Sequence, residues 1–281
     1  LKILYQLEFA KYDTKRFFYD YVAVILVYRN TIDLKECINS IYKKISSVKI
    51  IVVNAFYDKE SEKQINEIAK ELSCDFIGIE NKGYSYGNNR GIEFALEHYN
   101  FKYIIISNPD IVVERFIECN KQDCDIIAPQ IITANGKKQN PMIIKESKLA
   151  EYLIYSGLKK NSRLFFLMGI LLNKLQRIFL FLKKEDSIFA AHGSFVIMKK
   201  KVVDMIKPLY DENLFLFAEE GVLAYRCREK GLKTVYDSNI VIHHKEDGCM
   251  RLADFSVNNE LKKANIYFYE KYVLNSKGIC N

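Results

Sequence analysis

Tyr21-Val22-Ala23-Val24-Ile25-Leu26-Val27-Tyr28 carries no charged side chain and is bounded by Asp20 and Arg29. A run this apolar and β-branched reads as a strand buried on both faces, the kind found in parallel sheets. Asn30 and Thr31 follow and can cap a helix over residues 33–45, with Leu34, Cys37, Ile38 and Ile41 on one face. Working onward, residues 49–53 predict a second strand, 58–72 a helix, 75–79 a third strand, 86–99 a helix and 103–106 a fourth strand. Strands alternating with helices imply βαβ units: an α/β chain with a mostly parallel central sheet flanked by helices. Ligands then sit at the carboxyl ends of the strands.

After Glu114 the pattern changes. Residues 125–130, 131–133 and 142–144 read as short strands around an Asn135-Gly136 turn. A strand at 194–198, a short helix from Lys201 and a helix over 219–230 stopped by Gly231 come next. Short strands at 233–236 and 240–242 and a helix over 256–272 complete the pattern. The organisation expected is an N-terminal extension (1–20), a βα half (21–114), a second half (115–250) with a basic helical insertion at 145–186, and a C-terminal helix (251–281).

The composition excludes a disordered tail: 49% of the 281 residues are hydrophobic and 27% charged. Seven cysteines, odd in number and never in a C-x-x-C pair, argue against a disulfide framework or zinc knuckle and for a reducing, cytoplasmic setting. Residues 1–20 carry Lys2, Glu8, Lys11 and Asp13 and do not read as a signal peptide. The formal net charge is +7, and residues 145–186 hold nine Lys or Arg against four acids. Within them, 164–182 reads as an amphipathic helix with Leu164, Leu167, Met168, Leu171, Leu172, Leu175, Ile178, Phe179 and Leu182 on one face. Asn173, Lys174, Gln176 and Arg177 group on the other. The helix is too short and too interrupted to span a bilayer, but suits the plane of an anionic membrane surface. Packing on the protein's own core or on a second subunit, as in a homodimer, is the structural alternative. Nucleic acid is disfavoured, because the bases sit among aliphatics.

Four constellations carry chemistry. Ser107-Asn108-Pro109-Asp110 follows the fourth strand, and Pro109 holds Asn108 and Asp110 at its mouth. Oxygens there suit Mg²⁺ or Mn²⁺. Residues 81–91, Asn-Lys-Gly-Tyr-Ser-Tyr-Gly-Asn-Asn-Arg-Gly, space three glycines through the start of a helix, where backbone can approach an anionic ligand. The chain has no P-loop motif. Glu219-Glu220 opens a helix behind an aromatic-aliphatic run, which suits a partly desolvated general base. His243-His244 ends a short strand as a potential metal ligand.

In order and spacing these pieces resemble the family 2 inverting glycosyltransferases of the GT-A fold, the nucleotide-diphospho-sugar transferase fold, especially the rhamnosyltransferase-like branch of bacterial surface-polysaccharide synthesis. The matching stretches are 27–30, 53–58, 81–91, 108–110, 192–196, 215–220 and 241–243. The resemblance implies that Asp110, with Asn108 beside it, holds a divalent ion on the diphosphate of a nucleotide-sugar, UDP- or dTDP-linked, and that His243 completes the metal site. It implies that Val27, Tyr28, Arg29, Asn54, Asn81, Gly83, Gly87, Asn88, Asn89 and Asn108 line the donor. Glu220, or Glu219 in its place, then deprotonates a hydroxyl of a glycan or lipid-linked glycan acceptor, at the inner face of the cell membrane. Three positions depart from the family: Val53 stands where an acid contacts the nucleoside, Arg29 where Asn is usual, and Glu220 where Asp is usual. A non-catalytic transferase-like scaffold is the alternative those departures leave open.

Overall fold

The computed structural model describes residues 17–118, 123–181, 187–246 and 256–278. Most of the N-terminal extension, Cys119, Cys249, Cys280 and residues 182–186, with the Leu182 of the expected apolar face, lie outside the described residues, as does the Phe179 side chain.

The first half is four βα-type strands: β1 (Phe18–Val27), β2 (Val48–Phe56), β3 (Asp75–Glu80) and β4 (Asn100–Ser107), all parallel in the order β3-β2-β1-β4. Helices α1 (Thr31–Lys44), α2 (Lys59–Glu71) and α3 (Tyr84–His98) connect them. Asn30 caps α1 by accepting from the Asp33 backbone N–H, and Asp58 caps α2 by accepting from Ser61 N–H. Strand alternation divides the core into two aliphatic layers. Ala23, Ile25, Ile50 and Val52 pack under α1 and α2, while Val22, Val24, Ile51 and Val53 pack under α3.

The second half adds β5 (Ile111–Arg115), β6 (Ile126–Thr133), β7 (Ser187–Ile188), β8 (Phe195–Lys199) and β9 (Thr234–His244). The full order is β3-β2-β1-β4-β8-β6-β9-β5, with β7 on β9. β8, β5 and β7 run against the other six strands, so the sheet is mostly parallel. Several expectations for this half are corrected. Residues 125–130 and 131–133 are one strand, β6, and 233–236 and 240–242 are likewise one, β9; a register shift at Pro129/Gln130 lets the two stay paired. Residues 142–144 form no strand, only an isolated bridge from Ile143 to Ala190. β5 and β7 escape the sequence reading, being short and half polar.

Helix α4 (Lys148–Lys159) and helix α5 (Arg163–Phe181) form a hairpin from the basic insertion. Helix α6 (Lys200–Met205), helix α7 (Glu219–Glu229) and helix α8 (Val257–Phe268) complete the chain, α8 running into a π turn at Tyr269–Val273. Among the described residues no helix is long and apolar enough to cross a membrane.

Candidate functional site

At the carboxyl ends of β1 and β4 lies a cleft of about 520 Å³, lined by Leu26, Tyr28, Ala55, Asn81, Gly83, Asn108, Asp110, Gln139, His192, Phe215, Glu219, Glu220, His244 and Glu246 among others. This is the position that the topology of an open α/β sheet favours for a ligand.

One wall is made by α3. Gly83 has φ +99°, and a Cβ there would stand 2.3 Å from the Phe215 carbonyl oxygen. The bare backbone lets Tyr84 N–H donate to that oxygen at 2.7 Å, stapling the 81–83 loop to the 215–217 segment across the cleft. The later glycines do something else. A Cβ on Gly87 would meet Leu26 at 2.4 Å, and one on Gly91 would meet Val24 at 2.3 Å and Val53 at 2.8 Å, so both serve close packing of α3 on the sheet. Asn89 turns away from the cleft, donating to the Tyr210 carbonyl and accepting from Tyr210 N–H. Asn88 is buried and donates to the Tyr84 carbonyl. Of the donor-lining residues expected from sequence, Tyr28, Asn81, Gly83 and Asn108 line the cleft, whereas Val27, Arg29, Asn54, Gly87, Asn88 and Asn89 do not. Val27 and Asn54 are buried on the α1–α2 side by strand parity, and Asn54 Nδ2 has no hydrogen-bond partner among the described residues. Arg29 instead stacks its guanidinium 3.6 Å above the Tyr57 ring. Val53 is fully buried beneath Gly91, so a carboxylate there would lie in the aliphatic layer rather than at the cleft.

The opposite wall carries the ionisable groups. Asp110 is 4% exposed, and His244 Nε2 lies 3.4 Å from its Oδ1. His243 is on the other side of β9, exposed and paired with Glu114. Parity explains the choice: Ile240, Ile242 and His244 share the inward face of β9. The amide of Gln139 is oriented by donating from Nε2 to Glu246, which leaves its Oε1 to accept from His244 Nδ1–H at 2.8 Å. In its neutral form the ring therefore turns a bare Nε2 lone pair towards the Asp110 carboxylate. A proton on Nε2 or a divalent ion between the two satisfies both. The carboxylate suits Mn²⁺ or Mg²⁺, and the imidazole nitrogen suits Mn²⁺ better than Mg²⁺, which takes oxygen ligands. Among the described residues no group of three or more His, Cys, Asp or Glu is arranged as a metal site. An ion held by this pair would complete its shell with phosphate oxygens and water.

Across the cleft, Phe217 and Ala218 both adopt left-handed backbone (φ 74° and 64°) and turn the chain into α7. Glu219 is 5% exposed and its Oε1 has no hydrogen-bond partner among the described residues. Burial, and then the neighbouring Glu220, push its carboxyl up to about 8. Glu220 accepts from Gly193 N–H at 3.2 Å, and a Cβ on Gly193 would crowd the same oxygen. Burial holds His192 below the usual imidazole range, Glu220 opposing the shift and His244 adding to it. Its ring lies edge-on to His244, 5.7 Å between centroids.

Of the His243-His244 pair His244 reaches the cleft, and His192 is among the residues of the matching stretch 192–196 that do. For His244 the signal was present, in phase with Ile240 and Ile242. For Gln139 and Glu246 there was none, since both lie in irregular segments.

Comparison with solved structures places this architecture. It superposes on GalNAc-T7 bound to UDP, GalNAc and Mn²⁺ with a TM-score of 0.53 at 14% identity, over 83% of this chain and 45% of that one. It superposes on the mannosyltransferase PcManGT of Pyrobaculum calidifontis, bound to GDP-Man and Mn²⁺, with a TM-score of 0.50 at 10% identity, over 91% of this chain and 71% of that one. The fold is that of the GT-A glycosyltransferases. No protein-family model matches the chain. In sequence it is similar to the low-salt glycan biosynthesis hexosyltransferase Agl10 of Haloferax volcanii, 27% identical over 226 residues, which are 76% of this chain and 63% of that protein. A shorter similarity, 27% over 141 residues, links 46% of the chain to 31% of the UDP-N-acetylmuramoylalanine--D-glutamate ligase of Clostridium tetani. The GT-A chain described here thus spans less than two thirds of either relative.

Proposed function

We propose that this protein is an inverting hexosyltransferase, moving a sugar from a nucleotide-diphosphate donor to a hydroxyl of a lipid-linked surface glycan. The single observation that carries the reading is the pairing of Asp110 with His244 Nε2 at the mouth of β4, in one cleft with Glu220. The GT-A fold and the similarity to a glycan-biosynthesis hexosyltransferase support the same class.

In this reading Tyr28 and Asn81 border the nucleoside, and Asn108 and Asp110 the diphosphate. A divalent ion held by Asp110 and His244, when bound, neutralises charge developing on the leaving nucleoside diphosphate. His244 takes the ligand role the resemblance gives to His243, because only His244 faces Asp110. Glu220 accepts the acceptor hydroxyl's proton as its oxygen bonds to the anomeric carbon from the face opposite the departing diphosphate. Gly193 N–H orients that carboxylate. Glu219, whose carboxyl is pushed up by burial and by Glu220, lines the same cleft and is the second candidate for that base.

The test is release of nucleoside diphosphate from a panel of UDP-, dTDP- and GDP-sugars with Mn²⁺ or Mg²⁺. Turnover by the wild type, lost in Glu220→Gln, is expected; no turnover or donor binding across the panel would return the chain to a scaffold.

A further inference from the structure

Helix α5 is mounted the wrong way round for a soluble protein. Leu164 is 67% exposed, Leu171 54%, and Leu175 and Ile178 55% each. Its more covered side is built from Phe166, Gly169, Leu172 and the polar Asn173, Gln176 and Arg177. Among the described elements its one substantial neighbour is α4. That contact is close: a Cβ on Gly157 would stand 2.4 Å from Phe166 N, and one on Gly169 would stand 2.7 Å from Ile154. The hairpin is thus a built unit with its apolar side displayed, 19 residues or roughly 28 Å long in α5.

We propose that the α4–α5 hairpin seats the protein on an anionic membrane surface, α5 lying in the plane with its leucines in the headgroup–acyl boundary. Charge decides between this occupant and a second copy of the chain. In and beside the hairpin Lys145, Lys148, Lys160, Arg163 and Lys174 are all exposed. A two-fold contact through the same face would bring these cations towards their own copies, whereas anionic headgroups complement them. A helix with an exposed apolar face and cations in and beside it matches interfacial insertion.

The seat also has a direction. Arg177 Nη2 donates to the Lys138 carbonyl at 2.8 Å, and the next residue, Gln139, lines the cleft and orients His244. The hairpin therefore holds the back wall of the cleft at a set position relative to the surface. Presentation of a lipid-linked acceptor at that wall rests on the transferase reading; the membrane seat itself does not.

Co-sedimentation of the full chain with vesicles of phosphatidylcholine alone, or mixed with phosphatidylglycerol, tests this without any donor. Binding is expected only with the anionic lipid and should weaken as salt rises. The triple variant Leu167→Ser, Leu171→Ser, Leu175→Ser should lose about tenfold or more of it while keeping the wild-type melting curve. Lys160→Glu with Arg163→Glu should abolish the preference for anionic lipid. No pelleting, equal pelleting with neutral lipid, or a dimer in solution that the triple serine variant dissolves would overturn the proposal. Because no turnover is measured, failure here leaves the transferase reading standing, and failure of donor turnover leaves this one.

Discussion

The two halves of the sheet solve different problems. From Val22 to Val27, and again from Ile50 to Val53, every side chain of β1 and β2 is aliphatic and most are fully buried, so β3-β2-β1-β4 is a platform held by apolar packing. Beyond β4 the sheet mixes directions, with β5, β7 and β8 antiparallel to the rest, and this half carries His192, Glu219, Glu220 and His244, while Asp110 sits at the junction. The difference teaches that the first half sets where a ligand can lie and the second sets what can be done to it. Substitutions in the two should therefore separate stability from activity.

The largest effect is expected at the junction and across the cleft. Asp110→Ala and Glu220→Gln should each lower donor turnover by roughly 10²–10⁴-fold, with thermal melts close to wild type, because neither side chain supports the core. Retained turnover with a lowered melt would break the comparison. Ile38→Ala, in the platform layer and fully buried, should do the converse. It should cost about 3 kcal/mol in denaturant unfolding and leave donor preference unchanged.

A smaller effect is expected from Asp211, which is 4% exposed and accepts from Tyr267, Lys271 and Tyr272. Burial opposes its ionisation, but Lys271 and Tyr272 outweigh it and hold the carboxyl below the usual range. With a depressed folded value, its stabilisation is present above the unfolded value near 4 and lost as pH falls. Asp211→Asn should cost about 2 kcal/mol at pH 7 and remove part of the acid sensitivity, read by melts between pH 3 and 7. Glu151 of α4 has the opposite sign, since burial chiefly pushes it up to about 7. Its stabilising contribution is complete below the unfolded value near 4.5 and lost as pH rises through 7. Glu151→Gln should therefore gain roughly 1 kcal/mol relative to wild type between pH 5 and 8. The smallest effect is expected at Leu171 of α5, where Leu171→Ala should change stability by less than ~0.5 kcal/mol, because the side chain is more than half exposed.

The platform was legible because its strands are near-continuous aliphatic runs between caps at Asn30 and Asp58, and both caps form. The second half was less so. Its strands are broken by polar residues, and pairing through a register shift joins segments that read as separate. The sequence order around Asn108-Pro109-Asp110 and Glu219-Glu220 does assemble at one cleft. What one-dimensional order blurs is side-chain parity, which separates His244 from His243 and buries Val53, and long-range hydrogen bonding, which brings Gln139 to His244 across the fold. The apolar face of α5 was legible too; that it points outward follows from tertiary packing alone.

Asp110 and His244 carry the proposed ion site. Mn²⁺ binding in the presence of nucleoside diphosphate, followed by electron paramagnetic resonance in the wild type, Asp110→Ala, His244→Ala and His243→Ala, tests it most directly. Bound manganese should be lost in Asp110→Ala, weakened in His244→Ala and unchanged in His243→Ala. Manganese that survives loss of Asp110, or that responds to His243 and not to His244, would contradict the site described here.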